Sequence, residues 1–306
     1  TCVASRPCGL LPANRIFNLH CRSAAKRAIV AHLSVIIPAE SNVSALEDTL
    51  VSVLTHRPDD IEVIVPHMGS YDDPYSLGDE IRLLECAAKN ANELIASALE
   101  VAVGEFVLVL QTGCEVTNGW WEYASTHFDD DRIASVSPVV SQDDSHTAKI
   151  AGVGKAFSGR RECDAEARLG DVLGPTAYAG FYRKAALEAA GGWPGRTLGQ
   201  LTDIDIALSL AELGFDTAVA QECEIQLCEC RPAKSGAFRR AVAQEQLFWR
   251  HESTSISRAL RPVTAAVQCL CAGSPWAMAG AVFGKLYAMA GKGAAKRHRE
   301  TIASSA

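Results

Sequence analysis

The sequence lacks the features that would mark a nucleic-acid-binding protein. Its 306 residues have a formal net charge of −7, and phosphate neutralisation requires clustered lysine and arginine. The one basic cluster is the tail, with Lys292, Lys296, Arg297 and Arg299. Most such tails are solvated, and a minority bind anionic membrane surfaces. We therefore expect no nucleic-acid partner and leave open a peripheral membrane contact through the C-terminal segment.

Long apolar runs are also missing. Residues 1–30 contain no apolar core long enough for a signal peptide, and they predict a disordered or irregular N-terminal extension. Residues 262–284 carry no charge, but they are rich in alanine and interrupted by glycine and proline. Because spanning a bilayer takes about 20 strongly apolar residues, the pattern favours an amphipathic or buried helix. We expect a helical C-terminal extension over residues 231–306 that ends in the basic tail.

Familiar metal and catalytic motifs are absent as well. Cys223, Cys228 and Cys230 have neither a second Cys-x-x-Cys pair nor a histidine at zinc spacing, which favours reduced, structural cysteines in a cytoplasmic protein. Gly152-Val-Gly154 lacks the third glycine of a dinucleotide site. The sequence contains no Walker A loop, no Gly-x-Ser-x-Gly elbow and no His-Glu-x-x-His motif.

What is present is a regular alternation of strand and helix patterns. Apolar, β-rich runs that end at Pro38, His67 and Gln111 alternate with segments of helical spacing. This order predicts an α/β fold with a doubly wound, mostly parallel sheet. Since ligands bind at the carboxyl ends of the strands in such sheets, these loops should lie side by side.

The second half of the chain is less regular. Ile133–Val140 and Thr176–Tyr182 have the composition of strands, and Lys184–Ala190 predicts a helix. Asp203–Leu213 predicts a further helix, which Gly214 would end.

Several segments resemble the motifs of a known family in their order and spacing. They are Leu33–Ala39, Ile61–Asp72, Ala102–Phe106 with Gln111–Gly113, Ala177–Leu187, Gly191–Trp193 and Thr202–Leu208. Together they resemble the family 2 glycosyltransferases of GT-A fold. Their motifs are a Pro-Ala-Tyr-Asn turn, Val-Asp-Asp-Gly-Ser-x-Asp, Ala-x-Gly-Glu-Tyr before Asp-x-Asp, Arg-Arg before Gly-Gly-Phe, and Glu-Asp-x-Asp-Leu-Ala-Leu. The resemblance implies a GT-A domain over residues 31–230.

The resemblance implies a donor site that has lost its carboxylates. The family usually holds the donor diphosphate through Mn²⁺ or Mg²⁺, whose oxygen ligands come from Asp-x-Asp. Here those positions are Gln111 and Gly113, and the aspartate that reads the nucleobase falls on His67 or Met68. The cofactor is therefore left unknown and no metal ligand is assigned. The donor-binding set implied by the resemblance is Pro38, Ala39, Glu40, His67, Gln111 and Gly113.

Other groups could replace the lost ligands. Glu115 lies two residues past Gly113 and could reach a cation. Asp129–Asp131 also spells Asp-x-Asp, but its position between a helix and a strand favours a solvated run at the other end of the sheet. His67 could contact a phosphate or a metal, or it could be a partly exposed loop histidine.

The acceptor side keeps more of the family pattern. The resemblance places the general base on Asp203, with a threonine at the normally acidic position before it. The alternative for Asp203 is an acid in the first turn of a helix, favoured by the helix dipole. Trp193 could stack on a sugar ring or pack beside the Gly-Gly break. Asp205 is the second member of the acceptor set, with Trp193. Its position favours a structural role instead, because it lies on a different face of the helix from the pocket.

The resemblance thus predicts transfer of a sugar from a nucleotide-sugar donor to a hydroxyl group of a glycan or lipid, with an atypical donor site. The alternative is a catalytically inactive GT-A relative that binds a glycan or a protein partner. A third reading is a scaffold in a membrane-bound synthesis complex. The change to Gln111 and Gly113 favours the alternative, whereas the retained Asp203 favours the enzyme.

Overall fold

The structure is a computed structural model. It describes residues 33–40, 42–69, 71, 77–142, 148–156, 160–166, 169–195, 198–228, 236–251, 260–265, 267 and 275–290. The extension predicted for residues 1–30 and the basic tail lie outside the described residues. The proposed division of the chain at residue 230 stays a prediction.

The fold is built on one ten-stranded sheet in which most strands run parallel. Its strands are β1 (Leu33–Ile36), β2 (Ile61–His67), β3 (Arg82–Glu85), β4 (Phe106–Leu110), β5 (Cys114–Val116), β6 (Ile133–Gln142), β7 (Ala148–Gly154), β8 (Arg161–Asp164), β9 (Ala179–Arg183) and β10 (Asp216–Leu227). The main order is β3-β2-β1-β4-β9-β6-β10-β5, with β7 and β8 continuing from β6. The predicted mixed α/β fold with a mostly parallel sheet is confirmed.

Helices cover both faces of the sheet. They are α1 (Val43–Thr55), α2 (Ala91–Val101), α3 (Trp120–Ser125), α4 (Lys184–Ala189), α5 (Thr202–Glu212), α6 (Ala237–His251) and α7 (Pro275–Ala290). Asn42 and Asn90 cap α1 and α2, because each side-chain oxygen accepts a bond from a backbone N–H of the first turn. Within the described residues, no helix is long and apolar enough to cross a membrane.

The strand β4 shows why the sheet needs helices on both sides. Phe106, Leu108 and Leu110 join the apolar layer that contains α1 and α3. Val107 and Val109 join the opposite layer, which contains α2, α4 and α5. Successive side chains of a strand point to opposite faces, so an unbroken apolar run is stable only when both faces are covered.

The sequence patterns predicted the parallel strands that place the loops, but they missed four strands and did not give the direction of another. β9 was predicted, but it lies antiparallel between β4 and β6. Four strands, β5, β7, β8 and β10, were not predicted. β10 carries exposed acids such as Glu222 among its buried residues, so its pattern is too polar to be recognised as a strand of twelve residues.

Candidate active site

The loops after β1, β2 and β4 meet at the carboxyl edge of the sheet, as the sequence predicted. The backbone N–H of Ala39 donates to the carbonyl of Pro66 at 2.9 Å. The hydroxyl of Thr112 donates to the carbonyl of Pro38 at 2.7 Å. These bonds join all three loops, because Pro66 lies within β2 directly before His67.

The turn after β4 is tightly fixed. The N–H of Gln111 donates to the carbonyl of Tyr178, and the N–H of Gly113 donates to the hydroxyl of Thr49, both at 2.8 Å. Gly113 has a φ of 88°, a conformation that favours glycine. The Gln111 amide nitrogen lies 3.4 Å from a carboxylate oxygen of Glu40, so the side chains from the two loops touch.

The side chains of this turn do not suit a divalent cation. Mn²⁺ and Mg²⁺ prefer several oxygen ligands that include carboxylates, whereas Gln111 turns its amide nitrogen toward Glu40 and Gly113 has no side chain. Glu115 lies on β5 between two buried residues, with its side chain on the opposite face of that strand. Across the described parts of the chain, no three His, Cys, Asp or Glu side chains are grouped to hold a metal. Burial also raises the pKa of Glu40, because its charged form loses water.

The second aspartate run lies elsewhere, as predicted. Asp130 pairs with Arg132 at 3.1 Å, and this pair precedes β6. The amino end of β6 is at the edge of the sheet opposite the Gln111 turn, because β6 and β4 are both antiparallel to β9.

His67 ends β2 and is only 8% exposed. Its Nδ1 accepts a bond from the N–H of Gly69 at 3.2 Å. In the neutral ring the proton therefore lies on Nε2, which can donate to a ligand oxygen. The prediction of a partly exposed loop histidine is wrong, since His67 is a buried residue at the end of a strand.

Asp203 lies in the first turn of α5 and its side chain is 1% exposed. Arg160 holds the carboxylate through Nε, which lies 3.1 Å from Oδ1 and 2.9 Å from Oδ2, and through Nη2, 2.8 Å from Oδ2. The N–H of Ala177 adds a bond to Oδ2 at 3.2 Å. Both oxygens are therefore already occupied by donors.

Two opposing effects act on the charge of Asp203. Burial raises the pKa of its carboxyl, because the charged form loses water. The Arg160 guanidinium and the N–H groups of Ile204 and Ala177 oppose that rise. The side chain thus has two properties of a general base, a raised pKa and partners that hold the ionised form.

Asp203 and the Gln111 turn lie close together rather than at opposite ends of the molecule. Ala177 donates to Asp203, and the next residue, Tyr178, accepts from the N–H of Gln111. Two hydrogen bonds and the two consecutive residues Ala177 and Tyr178 therefore connect the predicted donor turn to the predicted base. The role of each side chain stays a prediction, but the two are neighbours.

Asp205 is structural in this geometry. Its Oδ1 lies 2.6 Å from Nε2 of His251, and its Oδ2 lies 3.3 Å from Nη1 of Arg250. Both partners come from the end of α6, and the carboxylate is 1% exposed. The expectation that Asp205 binds an acceptor is not supported, because its side chain faces α6. Its contact anchors α6 to α5.

Trp193 packs inside the protein. Its ring meets Tyr182 edge to face at a centroid distance of 5.7 Å, and its Nε1 donates to Asn92 at 3.0 Å. The residue is 9% exposed, so little of the ring remains for stacking on a sugar. Of the two readings of Trp193, packing beside the Gly-Gly break is the one that agrees with the structure.

Sequence reasoning missed Arg160. It lies just before β8, in a stretch that matches none of the family motifs. The only available signal was that a buried acid such as Asp203 needs a cationic partner, and the chain has 29 lysines and arginines to choose from.

Comparison of sequences finds no relative. No family model matches the chain, and no curated protein matches it significantly.

Comparison of structures does find similar folds. The mannosyltransferase PcManGT from Pyrobaculum calidifontis, solved with GDP-Man and Mn²⁺, aligns with a TM-score of 0.54 and 19% identity over 90% of this chain and 84% of its own. S. aureus TarS, residues 1–349, solved with UDP-GlcNAc, aligns with a TM-score of 0.55 and 13% identity over 74% of this chain and 68% of its own.

GalNAc-T7, solved with UDP, GalNAc and Mn²⁺, aligns with a TM-score of 0.54 and 12% identity. The alignment covers 76% of this chain, which spans about half the length of GalNAc-T7, 54%. Identities this low show a common fold and leave the chemistry open. The chain has the fold of the GT-A glycosyltransferases.

Proposed function

We propose that this protein is a glycosyltransferase that moves a sugar from a nucleotide-sugar donor to a hydroxyl group of a glycan or lipid acceptor. Structures of the same fold were solved with GDP-Man and with UDP-GlcNAc, which supports a nucleotide-sugar as the donor. The observation that carries the proposal is the link through Ala177 and Tyr178, which joins Asp203 to the Gln111 turn. The base and the donor turn must lie close together for this reaction.

In the proposed reaction the acceptor oxygen attacks the anomeric carbon of the donor sugar. A new carbon–oxygen bond forms as the bond from the anomeric carbon to the phosphate oxygen breaks, and the nucleoside diphosphate leaves with the electron pair. Asp203 takes the proton of the acceptor hydroxyl. The raised pKa of this carboxyl makes it a stronger base than an exposed aspartate.

The donor diphosphate would be held by neutral hydrogen-bond donors. Nε2 of His67 carries the ring proton in the neutral form, since Nδ1 accepts from Gly69. The Gln111 amide nitrogen carries two hydrogens. One is directed at a carboxylate oxygen of Glu40, and the other would donate to the diphosphate. Preorganised donors stabilise developing negative charge in a transition state, so no step is assigned to a metal.

Arg160 sets a condition on catalysis. An acceptor hydroxyl cannot reach Asp203 while Arg160 and Ala177 occupy both carboxylate oxygens and the side chain is 1% exposed. The proposed reaction therefore requires Arg160 to release at least one oxygen when the substrates are bound. In the released state Arg160 would remain beside the reacting groups as a local positive charge.

Nucleotide binding is the first test. We expect UDP or GDP to raise the melting temperature of the protein equally with and without Mn²⁺, since the Gln111 turn offers no set of metal ligands. A nucleotide at 100 times its dissociation constant stabilises by about 2.7 kcal/mol. If neither nucleotide shifts the melting temperature under either condition, the donor site is misplaced.

Turnover is the second test. Release of nucleoside diphosphate from GDP-Man and UDP-GlcNAc would be measured for the wild type and for Asp203→Asn. We expect the substitution to reduce turnover at least about 100-fold while nucleotide binding is kept, because general-base catalysis contributes about 10²–10⁴-fold. Glu245→Gln is the matched control, since Glu245 is also a buried acid paired with an arginine, at 2.8 Å from Arg261.

The outcomes separate the candidates. Turnover that is lost in Asp203→Asn and kept in Glu245→Gln supports the enzyme. Nucleotide binding without turnover in the wild type would favour the binding module. Equal turnover in both variants would remove Asp203 from the mechanism.

A further inference from the structure

Helix α7 exposes a continuous apolar surface. Five of its large side chains are between 55% and 70% exposed: Trp276, Met278, Val282, Phe283 and Leu286. At about 100° per residue they occupy an arc of roughly 160° on one side of the helix. Such patches on soluble proteins mark contacts with a partner or a membrane. We call these five side chains the α7 apolar face.

The opposite side of α7 is fixed against α6. A Cβ added at Gly280 would lie 2.5 Å from the carbonyl oxygen of Phe238, and one at Gly284 would lie 2.9 Å from Cα of Val242. The two helices therefore touch through their backbones, and only glycine permits this approach. The helix cannot rotate its apolar face inward without separating from α6.

The pair of helices is in turn attached to the GT-A domain. His251 and Arg250 at the end of α6 hold Asp205 of α5. Ala243 and Leu247 of α6 share an apolar cluster with α5. Whatever binds the α7 apolar face is therefore held at a defined position relative to α5.

Charge indicates which partner the face suits. From Pro262 to Arg299 the sequence contains no Asp or Glu, although the whole chain has a net charge of −7. The same stretch contains five cations: Lys285, Lys292, Lys296, Arg297 and Arg299. Apolar side chains that include a tryptophan, in a segment whose charged residues are all lysine or arginine, are typical of helices that lie in the interface of an anionic bilayer.

We propose that the α7 apolar face inserts into the surface of an anionic lipid bilayer and lies parallel to it. A second copy of the chain is a poorer partner for this face. Pairing two α7 faces would bring together two segments that carry only positive charge, which repel each other. An anionic lipid surface instead attracts the cations and accepts the apolar face, while the acidic remainder of the protein is turned away.

Vesicle co-sedimentation of the full chain tests the proposal. We expect binding to phosphatidylcholine vesicles that contain phosphatidylglycerol and little binding to phosphatidylcholine alone. Binding should weaken in about 1 M salt, where the Debye length is about 3 Å. Val282→Asp and Phe283→Asp should each weaken binding at least about tenfold, since each places a charge where an apolar side chain would enter lipid.

Val51→Asp is the matched control. Val51 lies on α1 and is 63% exposed, against 62% for Val282, so both substitutions are the same change at the same exposure. Val51→Asp and Val282→Asp should keep the wild-type melting temperature, because exposed positions contribute little to stability. Phe283 also packs against Phe238 of α6, with ring centroids 5.8 Å apart, so Phe283→Asp should lower the melting temperature slightly and Val282→Asp is the decisive variant. Val51→Asp should bind vesicles as the wild type does.

The following outcomes would overturn the proposal. Equal binding of Val51→Asp and Val282→Asp to the anionic vesicles would show that the α7 apolar face is not in contact with lipid. Equal binding to neutral and anionic vesicles would remove the role of charge. A wild-type dimer in analytical ultracentrifugation that Val282→Asp dissociates would assign the face to a second copy of the chain.

Discussion

Arg160 holds Asp203 by both carboxylate oxygens, with Nε at 3.1 Å from Oδ1 and Nη2 at 2.8 Å from Oδ2. A charge that is 1% exposed survives folding only when it is paired in this way. The same contact covers the group that the proposed reaction uses as its base. The pair therefore bears on both the stability and the activity of the protein.

We predict a strong energetic coupling between Arg160 and Asp203. Arg160→Met should lower the free energy of unfolding by about 3 kcal/mol, because it leaves a buried carboxylate without its cation. The double variant with Asp203→Asn should lose less than the sum of the two single losses. Urea unfolding of the four proteins in a double-mutant cycle measures the coupling.

The surface pair of Arg132 and Asp130 is the control for that cycle. Its side chains are 73% and 47% exposed, although the separation of 3.1 Å is similar. Exposed pairs contribute about 0–1 kcal/mol, so the coupling there should be small. Equal coupling energies at the two pairs would contradict the importance assigned to burial.

His251 should make stability depend on pH. Burial alone would lower the pKa of His251, but its hydrogen bonds to Asp205 and Glu212 outweigh burial and raise the pKa. A group with a raised folded-state pKa stabilises fully below its unfolded value, about 6.5, and loses that contribution as the pH rises through the folded-state pKa. The difference in melting temperature between the wild type and His251→Gln should therefore shrink from pH 6 to pH 9.

His127→Gln is the control for the pH experiment, since the described contacts include no ion pair of His127. Its difference from the wild type should stay nearly constant over the same pH range. If the difference for His251→Gln instead grows as the pH rises, the ion pair with Asp205 does not stabilise the fold.

A single substitution should create a metal response at the Gln111 turn. Gln111→Asp places a second carboxylate beside that of Glu40, whose oxygen lies 3.4 Å from the Gln111 amide nitrogen. Because Mn²⁺ prefers carboxylate oxygens, it should raise the melting temperature of this variant and leave the wild type unchanged. The substitution avoids Gly113, whose φ of 88° disfavours other residues.

Gln221→Asp, at an exposed glutamine of β10, controls for a general effect of added charge. An equal Mn²⁺ response in this variant, or none in Gln111→Asp, would show that the two loops do not offer their side chains to one ligand. UDP added with Mn²⁺ should give Gln111→Asp a larger shift than Mn²⁺ alone, since diphosphate oxygens complete the coordination.

Gly104 should not tolerate a side chain. An added Cβ would lie 2.5 Å from the backbone nitrogen of Ser34 and 2.6 Å from its hydroxyl oxygen. The hydroxyl accepts a bond from the Gly104 N–H at 2.8 Å, so the clash would also break that bond. We expect Gly104→Ala to lower the free energy of unfolding by about 1–3 kcal/mol in urea denaturation.

Gly170→Ala is the control for Gly104→Ala, because no atom lies within 4 Å of an added Cβ at Gly170. Its stability should stay within about 0.5 kcal/mol of the wild type. Wild-type stability of Gly104→Ala would mean that the loop before β4 can move away from Ser34.

Local patterns predicted the half of the fold that places the donor loops. The apolar runs of β1, β2 and β4 are buried on both faces, so their composition alone marks them as strands. β10 was missed because polar residues such as Glu222, Glu224 and Gln226 stand among its buried residues. Trp193 could be read as stacking or packing, and only its contacts with Tyr182 and Asn92 decided between them.

The sequence by itself determined the order of strands and turns at the carboxyl edge. The assignment of Gln111 and Gly113 to positions that carry carboxylates in family 2 glycosyltransferases rests on the resemblance and stays a prediction. Tertiary structure decided which charges meet. Arg160 and Asp203 are 43 positions apart, and His251 and Asp205 are 46 apart. Periodicity and capping act over a few residues, whereas such pairs form only when the sheet and helices bring distant segments together.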